Sequence, residues 1–277
     1  MGAQPVTICA MGIPAPSASA RAVVTGASSG IGEALAIELA RRGHSLILVA
    51  RRAEILHATA TDLAARFGVE VEVMATDLSD PDATSALCSV LRDREISVLC
   101  NNAGIATFGP LAELDAEYER AQVRLNTVAV HDLTLAVLPQ MVKRGSGGIL
   151  MVGSAAGNMP IPNNATYAAS KAFVNTLSES LRGEVAAAGV HVTLLAPGPV
   201  RTQTPTPEEA SIVDRVVPDF LWNSSEYVAK SSLDALERNK MRVVPGVLSK
   251  SMSVAGGYIP RNLTAPIVGR FYRKFGD

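Results

Sequence analysis

Little in this chain suggests cross-links, a metal site or a membrane span. Among 277 residues there are three cysteines, Cys9, Cys88 and Cys100, with no Cys-x-x-Cys pair. A count so sparse and odd excludes a disulfide framework or zinc cluster and predicts a reduced, cytoplasmic setting. His44, His57, His131 and His191 show no metal-ligand spacing, so no metal is expected. No stretch approaches the roughly eighteen consecutive apolar residues of a transmembrane helix. Net charge is nearly absent too: 25 Lys and Arg against 26 Asp and Glu leave −1, which excludes a nucleic-acid binder working through a globally basic surface. Ser154 lacks the Gly-x-Ser-x-Gly elbow of a hydrolase, which argues against an acyl-serine mechanism. No internal repeat occurs, and no linker is rich enough in Gly, Ser or Pro to separate two domains.

What is present is material for a core. Apolar residues make up 48% and charged residues 18%, which excludes an intrinsically disordered chain. The first charged side chain is Arg21, and the residues before it are rich in Ala, Pro, Ser and Gly. Ser17-Ala18-Ser19-Ala20 has some likeness to a signal-peptidase site, but a basic n-region is missing and Pro5 and Pro14 interrupt the apolar stretch. Val6 stands where a myristoylation signal needs Ser or Thr. Residues 1–20 therefore read as a flexible extension, with Met11 an alternative start.

From Ala22 onward, short β-branched runs alternate with longer amphipathic ones. Strands are predicted over 22–25, 46–50, 69–75, 96–100, 149–152, 190–196 and 242–244. Most are continuous apolar runs, as for strands covered on both faces. Val69-Glu70-Val71-Glu72-Val73 alternates strictly and suits an edge strand. Between the strands, Ile31, Leu35 and Leu39, and then Phe173, Leu177, Leu181 and Val185, recur every four residues as the expected buried faces of helices. The pattern predicts an α/β fold: a single Rossmann-type, doubly wound sheet of about seven parallel strands with helices on both faces.

The first strand runs into Thr25-Gly26-Ala27-Ser28-Ser29-Gly30-Ile31-Gly32, where a helix begins. Glycine allows the sharp turn, the close approach of backbone N–H groups to an anion, and tight helix–strand packing. The helix start then holds a pyrophosphate. A glycine triplet alone is also found in surface turns; its place between first strand and first helix points to a dinucleotide. The second strand ends Val49-Ala50-Arg51-Arg52, where an NAD site usually carries an acid. Guanidinium groups suit a 2′-phosphate, and Ser28 adds a hydroxyl, so NADP(H) is the expected cofactor. The alternative is that the two arginines merely form a solvated helix start.

Tyr167 and Lys171 lie four apart at the start of a long helical pattern and project from one face. A neighbouring ammonium draws a tyrosine toward the working range of an acid–base catalyst, although such a pair is often only an ordinary surface pair. Ser154, at the end of the fifth strand, sits where open α/β sheets gather ligands and would bond a carbonyl oxygen. Together with Asn101-Asn102-Ala103-Gly104 and Pro197-Gly198, these motifs closely resemble the short-chain dehydrogenase/reductase family from about residue 22 to 244. The resemblance implies hydride transfer between a nicotinamide and a carbonyl or alcohol carbon. It also implies that Asn126 completes a tetrad with Ser154, Tyr167 and Lys171, relaying protons through water, and that Lys171 binds the nicotinamide ribose. Asp77 and Leu78 would flank the adenine. Asn102, Ala103 and Gly104 would line the middle of the cofactor, and Val200 and Thr202 would meet its carboxamide. Stretches at 157–162, 172–175, 237–246 and 265–269 are similar to the mycobacterial 3-oxo-mycolate reductases, which reduce the β-keto group of very long, α-branched acyl chains.

Substrate choice is expected in a lid over 203–225, where Phe220, Leu221 and Trp222, with Phe108, Met159 and Ile161, would form an apolar wall or simply pack the lid on the core. From Arg238 on, eight bases and one acid give +7, leaving −8 on the preceding body. This basic, partly apolar end, with its extension over 247–277, would rest on an anionic inner leaflet or pack on the acidic body. The expectation is a catalytic domain over 21–246 acting as an NADPH-dependent reductase of a lipophilic 3-oxoacyl substrate. A generic carbonyl or steroid-type reductase and a non-catalytic NADP(H) sensor are the alternatives. The family resemblance implies a homo-oligomer, a dimer or tetramer.

Overall fold

The apolar runs become strands and the four-residue periods between them become helices. A computed structural model of the chain describes residues 13–198, 200–201 and 222–246. In chain order, β1 (Arg21–Thr25) leads into α1 (Gly30–Arg41), β2 (Ser45–Ala50) into α2 (Ala53–Phe67), and β3 (Val71–Ala75) into α3 (Pro81–Arg92). After β4 (Ile96–Asn101) come α4 (Ala116–Val123), a π-helical stretch (Arg124–Ala129) and α5 (Val130–Arg144). Next are β5 (Gly147–Val152), a 3₁₀ turn (Ala155–Asn158), α6 (Ala165–Val185) and β6 (Val190–Leu195). The short strands β7 (Val200–Arg201) and β8 (Asn223–Ser224) pair with each other, and α7 (Ser225–Glu237) and β9 (Arg242–Val243) complete the order.

Seven strands form one parallel sheet in the order β3-β2-β1-β4-β5-β6-β9. The order reverses between β1 and β4, so a crevice opens beyond their carboxyl ends. Each face of the sheet carries its own core. Leu35 and Leu39 of α1, Leu56 and Leu63 of α2, and Val228, Leu233 and Leu236 of α7 pack against one face. Leu87 and Leu91 of α3, Leu133, Val137 and Met141 of α5, and Leu181 and Val185 of α6 pack against the other. Fully buried aliphatic side chains of this size each stabilise the fold by about 1.5–3 kcal/mol. The alternating strand is β3, at the sheet edge as its pattern predicts. Val71 and Val73 pack inward, while Glu72 meets Arg21 at 3.2 Å and Arg94 at 2.9 Å.

One helical reading needs correction. Leu181 and Val185 are buried and Leu177 packs on the same core, but Phe173 is 41% exposed beside His131. Steps of four residues advance about 400° in a helix of 3.6 residues per turn, so a four-residue stripe drifts about 40° per step. At the start of α6 the core position is taken by Val174 instead, and the polar Ser170, Lys171 and Asn175 are buried beside it. Among the described residues, no helix is long and apolar enough to cross a membrane. Residues 203–221 of the expected lid and 247–277 of the basic extension lie outside the described residues.

Candidate active site

The glycine loop between β1 and α1 owes its shape to missing side chains. Gly26 and Gly30 have φ of 67° and 59°, in the left-handed region that favours glycine. A Cβ on Gly32 would lie 2.1 Å from the Gly26 carbonyl oxygen, so glycine there lets α1 press onto the loop. Ser29 caps α1 without a side-chain cap bond, leaving the first N–H groups of the helix to a ligand. Thr25 ties this loop to the end of β4. Its Oγ1 accepts the N–H groups of Asn102 (2.9 Å) and Ala103 (3.0 Å), and Asn102 Nδ2 donates to the Thr25 carbonyl at 2.8 Å.

These loops wall a cleft of about 620 Å³ at the switch point of the sheet. Gly26, Ser28, Ser29, Gly30 and Ile31 form one side, and Asn102, Ala103 and Gly104 the middle. Arg51, Arg52, Asp77 and Leu78 stand at one end; Gly153, Tyr167, Lys171 and Pro197 stand at the other. Gly32, Asn126, Ser154, Gly198 and Val200 are described but do not line the cleft, and Thr202 lies outside the described residues. Val200 pairs with Asn223 in the small sheet. The cradle, the free helix start and the elongated cleft between two chemically distinct ends fit a dinucleotide.

At the arginine end, Arg52 donates to the hydroxyls of Ser28 (3.0 Å) and Ser29 (2.9 Å). Arg51 reaches within 4.0 Å of Asp77. Partial burial alone would raise the Asp77 pKa. Bonds from the Ser79 hydroxyl and N–H, with the charge of Arg51, outweigh it and hold the carboxyl below its ordinary value.

The opposite end is organised by α6. Tyr167 is half-buried and Lys171 is 5% exposed. The Lys171 ammonium lies 5.7 Å from the centre of the Tyr167 ring and donates to the Val152 carbonyl at 2.9 Å. Desolvation by burial pushes the Lys171 pKa down from 10.5 to about 8. Asn126 sits in the π-helical stretch, whose wider turn is a frequent device at functional sites. Its Oδ1 accepts the Ile105 N–H at 3.0 Å, and its Nδ2 donates to the Ile105 carbonyl (2.8 Å) and the Ser170 hydroxyl (3.1 Å). A point beside Gly104, where a Cβ would stand, is 3.2 Å from Asn126 Oδ1 and 3.3 Å from Lys171 Nζ, so the two converge. Ser154 is buried just beyond β5, and its Oγ accepts the Ala156 N–H at 3.1 Å. Sequence reasoning placed Thr25 at the head of the glycine loop but gave no role to it, and it gave none to Ser170 or Asn175. Asn175 had a visible signal, since it continues the four-residue spacing of Tyr167 and Lys171.

A parallel sheet with a glycine cradle at its switch point and a Tyr–Lys row on the facing helix defines a dinucleotide-binding α/β protein. The chain belongs to the short-chain dehydrogenase family: residues 20–211 match the model of that family. The family works with a nicotinamide cofactor. Over 194 residues the chain is 38% identical to a very-long-chain 3-oxoacyl-CoA reductase of Anas platyrhynchos, covering 68% of this chain and 62% of that protein. It thus spans about six-tenths of the length of the curated relatives it matches. Among solved structures, a short-chain dehydrogenase from Sphingobium yanoikuyae in complex with NADPH superposes with a TM-score of 0.76 at 33% identity, covering 85% of this chain and 92% of that one. L-Sorbose reductase from Gluconobacter frateurii, complexed with NADPH and L-sorbose, gives 0.72 at 27% identity, covering 86% and 98%.

Proposed function

We propose that the protein is an NADPH-dependent reductase acting on the ketone of a lipophilic 3-oxoacyl chain. The observation that carries this reading is the Tyr167–Lys171 row at the end of a dinucleotide-shaped cleft, with a buried ammonium 5.7 Å from the tyrosine ring. When bound, the reduced nicotinamide supplies the hydride. Tyr167 gives its phenolic proton to the carbonyl oxygen as that oxygen gains negative charge. The Lys171 ammonium favours the phenolate left behind. Because Ser154 Oγ already accepts an N–H from Ala156, its own proton is left to donate to the carbonyl oxygen and orient it. Asn126 Oδ1 and Lys171 Nζ converge beside Gly104, and in this reading the Asn126 helix holds a water that relays protons back to Lys171.

Three further parts of the reading have separate support. For NADP(H) over NAD(H), it is the arginine pair with the Ser28 and Ser29 hydroxyls, donors suited to a 2′-phosphate. For a long 3-oxoacyl substrate, it is the reductase of Anas platyrhynchos named above. For an α-branched, mycolate-type chain, it is the likeness of four stretches to the 3-oxo-mycolate reductases. Residues 21–246 as catalytic domain, 203–225 as substrate lid, assembly into a dimer or tetramer, and contact of the basic end with anionic lipid belong to the same proposal. The test is Tyr167→Phe assayed with a long-chain 3-oxoacyl-CoA and NADPH. Turnover should fall by about a hundredfold or more while NADPH binding is retained. An unchanged rate overturns the mechanism.

A further inference from the structure

The face of α6 that carries Tyr167 and Lys171 continues for one more turn. Residues at i, i+4 and i+8 of a helix drift by only about 40° per step and share one broad side, and the third member of this row is Asn175, 4% exposed. A buried amide at that place needs partners, and all those it has lie in the serine loop. Asn175 Nδ2 donates to the Ser154 carbonyl at 3.0 Å and to Asn158 Oδ1 at 3.2 Å. Its Oδ1 accepts the Ser154 N–H at 3.4 Å. One side chain therefore grips both backbone groups of Ser154. Lys171, one turn earlier, grips the Val152 carbonyl two residues before.

The surrounding chain is shaped to admit this amide. A Cβ on Gly153 would lie 2.0 Å from Asn175 Oδ1, and one on Gly157 would lie 2.7 Å from Asn175 Nδ2. Asn158 is fixed from outside, because its Oδ1 also accepts Arg242 Nη2 from β9 at 3.2 Å. Arg242 Nε in turn lies 3.2 Å from Glu179, on α6 again. The loop from Gly153 to Asn158 is thus held near its start by Asn175 at Ser154, and at its far end by Asn175 and β9 together at Asn158. What the clamp sets is the direction of the Ser154 side chain. With the main chain of Ser154 fixed and its Oγ accepting the Ala156 N–H, the serine proton is turned away from Ala156 and left free to donate.

We infer that Asn175 is a positioning residue for the reaction: it acts through Ser154, fixing the serine backbone so that the hydroxyl points at the substrate carbonyl. The inference rests on the proposed reductase reading, since it assigns Ser154 the role of carbonyl donor.

A double-mutant cycle on the full chain tests it, with Asn175→Ala, Ser154→Ala and both together, assayed with NADPH and a long-chain 3-oxoacyl-CoA. A donor displaced by about 1 Å loses roughly tenfold to a hundredfold in rate, so Asn175→Ala should lower kcat by about that factor with KM nearly unchanged. NADPH binding should match wild type, because the cleft does not include Asn175. In the Ser154→Ala background the second change should cost less than about twofold, since the group it positions is already gone. Losses that multiply in the double variant overturn the inference, as does a wild-type kcat for Asn175→Ala. If Asn175→Ala fails to bind NADPH, the isosteric Asn175→Asp decides. It keeps the acceptor for the Ser154 N–H but sets a carboxylate oxygen against the Ser154 carbonyl, so kcat should fall there too, and a wild-type kcat refutes the clamp. Failure of the underlying reading looks different: Ser154→Ala and Tyr167→Phe would then both leave the rate intact.

Discussion

Replacing Lys171 by methionine should make the cofactor-free protein more stable at neutral pH while removing its activity. The ammonium is 5% exposed, and burial brings its pKa from 10.5 to about 8. One pKa unit corresponds to about 1.36 kcal/mol, so keeping the charged form in the fold at pH 7 costs about 3 kcal/mol. Methionine fills a similar volume without charge, but it leaves the Val152 carbonyl without the donor it has at 2.9 Å, a loss of about 1–2 kcal/mol. The net expectation at pH 7 is a gain of about 1–2 kcal/mol. The sign of the pH dependence follows from the direction of the shift. Below pH 8 both folded and unfolded wild-type chains hold the lysine proton, and the full cost applies. Between about 8 and 10.5 the folded chain releases a proton that the unfolded chain keeps, so wild-type stability rises with pH through that window. The variant lacks this component. Urea unfolding followed by circular dichroism at pH 7, 9 and 10.5 should show the variant's advantage shrinking and then reversing. A difference between the two proteins that stays constant across that range refutes the buried-ammonium argument.

Two further outcomes concern the cofactor site. Arg51→Asp combined with Arg52→Ala removes the charge-assisted donors at the end of β2, so the Kd for NADPH should rise by about a hundredfold and that for NADH by less than about tenfold. Equal losses in fluorescence titrations with the two cofactors would count against a 2′-phosphate site. Gly32→Ala forces a methyl group to within 2.1 Å of the Gly26 carbonyl oxygen, which is backbone and cannot swing away. It should cost about 2–4 kcal/mol and abolish NADPH binding. A normal melting temperature with normal binding would mean that α1 does not pack as closely as the structure has it.

The elements were legible because each is fixed by local pattern. Seven β-branched runs became the seven strands of the sheet, and the strict alternation at 69–73 marked the edge strand, since in a sheet covered by helices on both faces it is the edge where one side of a strand meets water. The glycines of the loop were legible for a similar reason: positive φ and close approach are conditions on a single residue, and Gly26, Gly30 and Gly32 meet them. Phe173 shows where local pattern fails. Its spacing matched a buried stripe, yet the inward face of α6 at that level belongs to Val174 with Lys171 and Asn175, and the burial of those two polar groups is worthwhile only because Val152 and Ser154 offer backbone partners. No periodicity encodes partners from a strand more than fifteen residues away.

The sequence by itself determined the alternation of strands and helices, the turn that cradles an anion, and the row of Tyr167 and Lys171, because each depends on neighbours within a few residues. Only the tertiary structure decided that the crevice lies between β1 and β4, and that Thr25 fastens the β4 end to the glycine loop. It also decided that Lys171 is buried deeply enough to titrate near 8, and that Asn175 grips Ser154 across 21 residues of chain. Those features arise from groups brought together by packing. Desolvation and hydrogen-bond geometry act across space, and the order of residues along the chain does not record them.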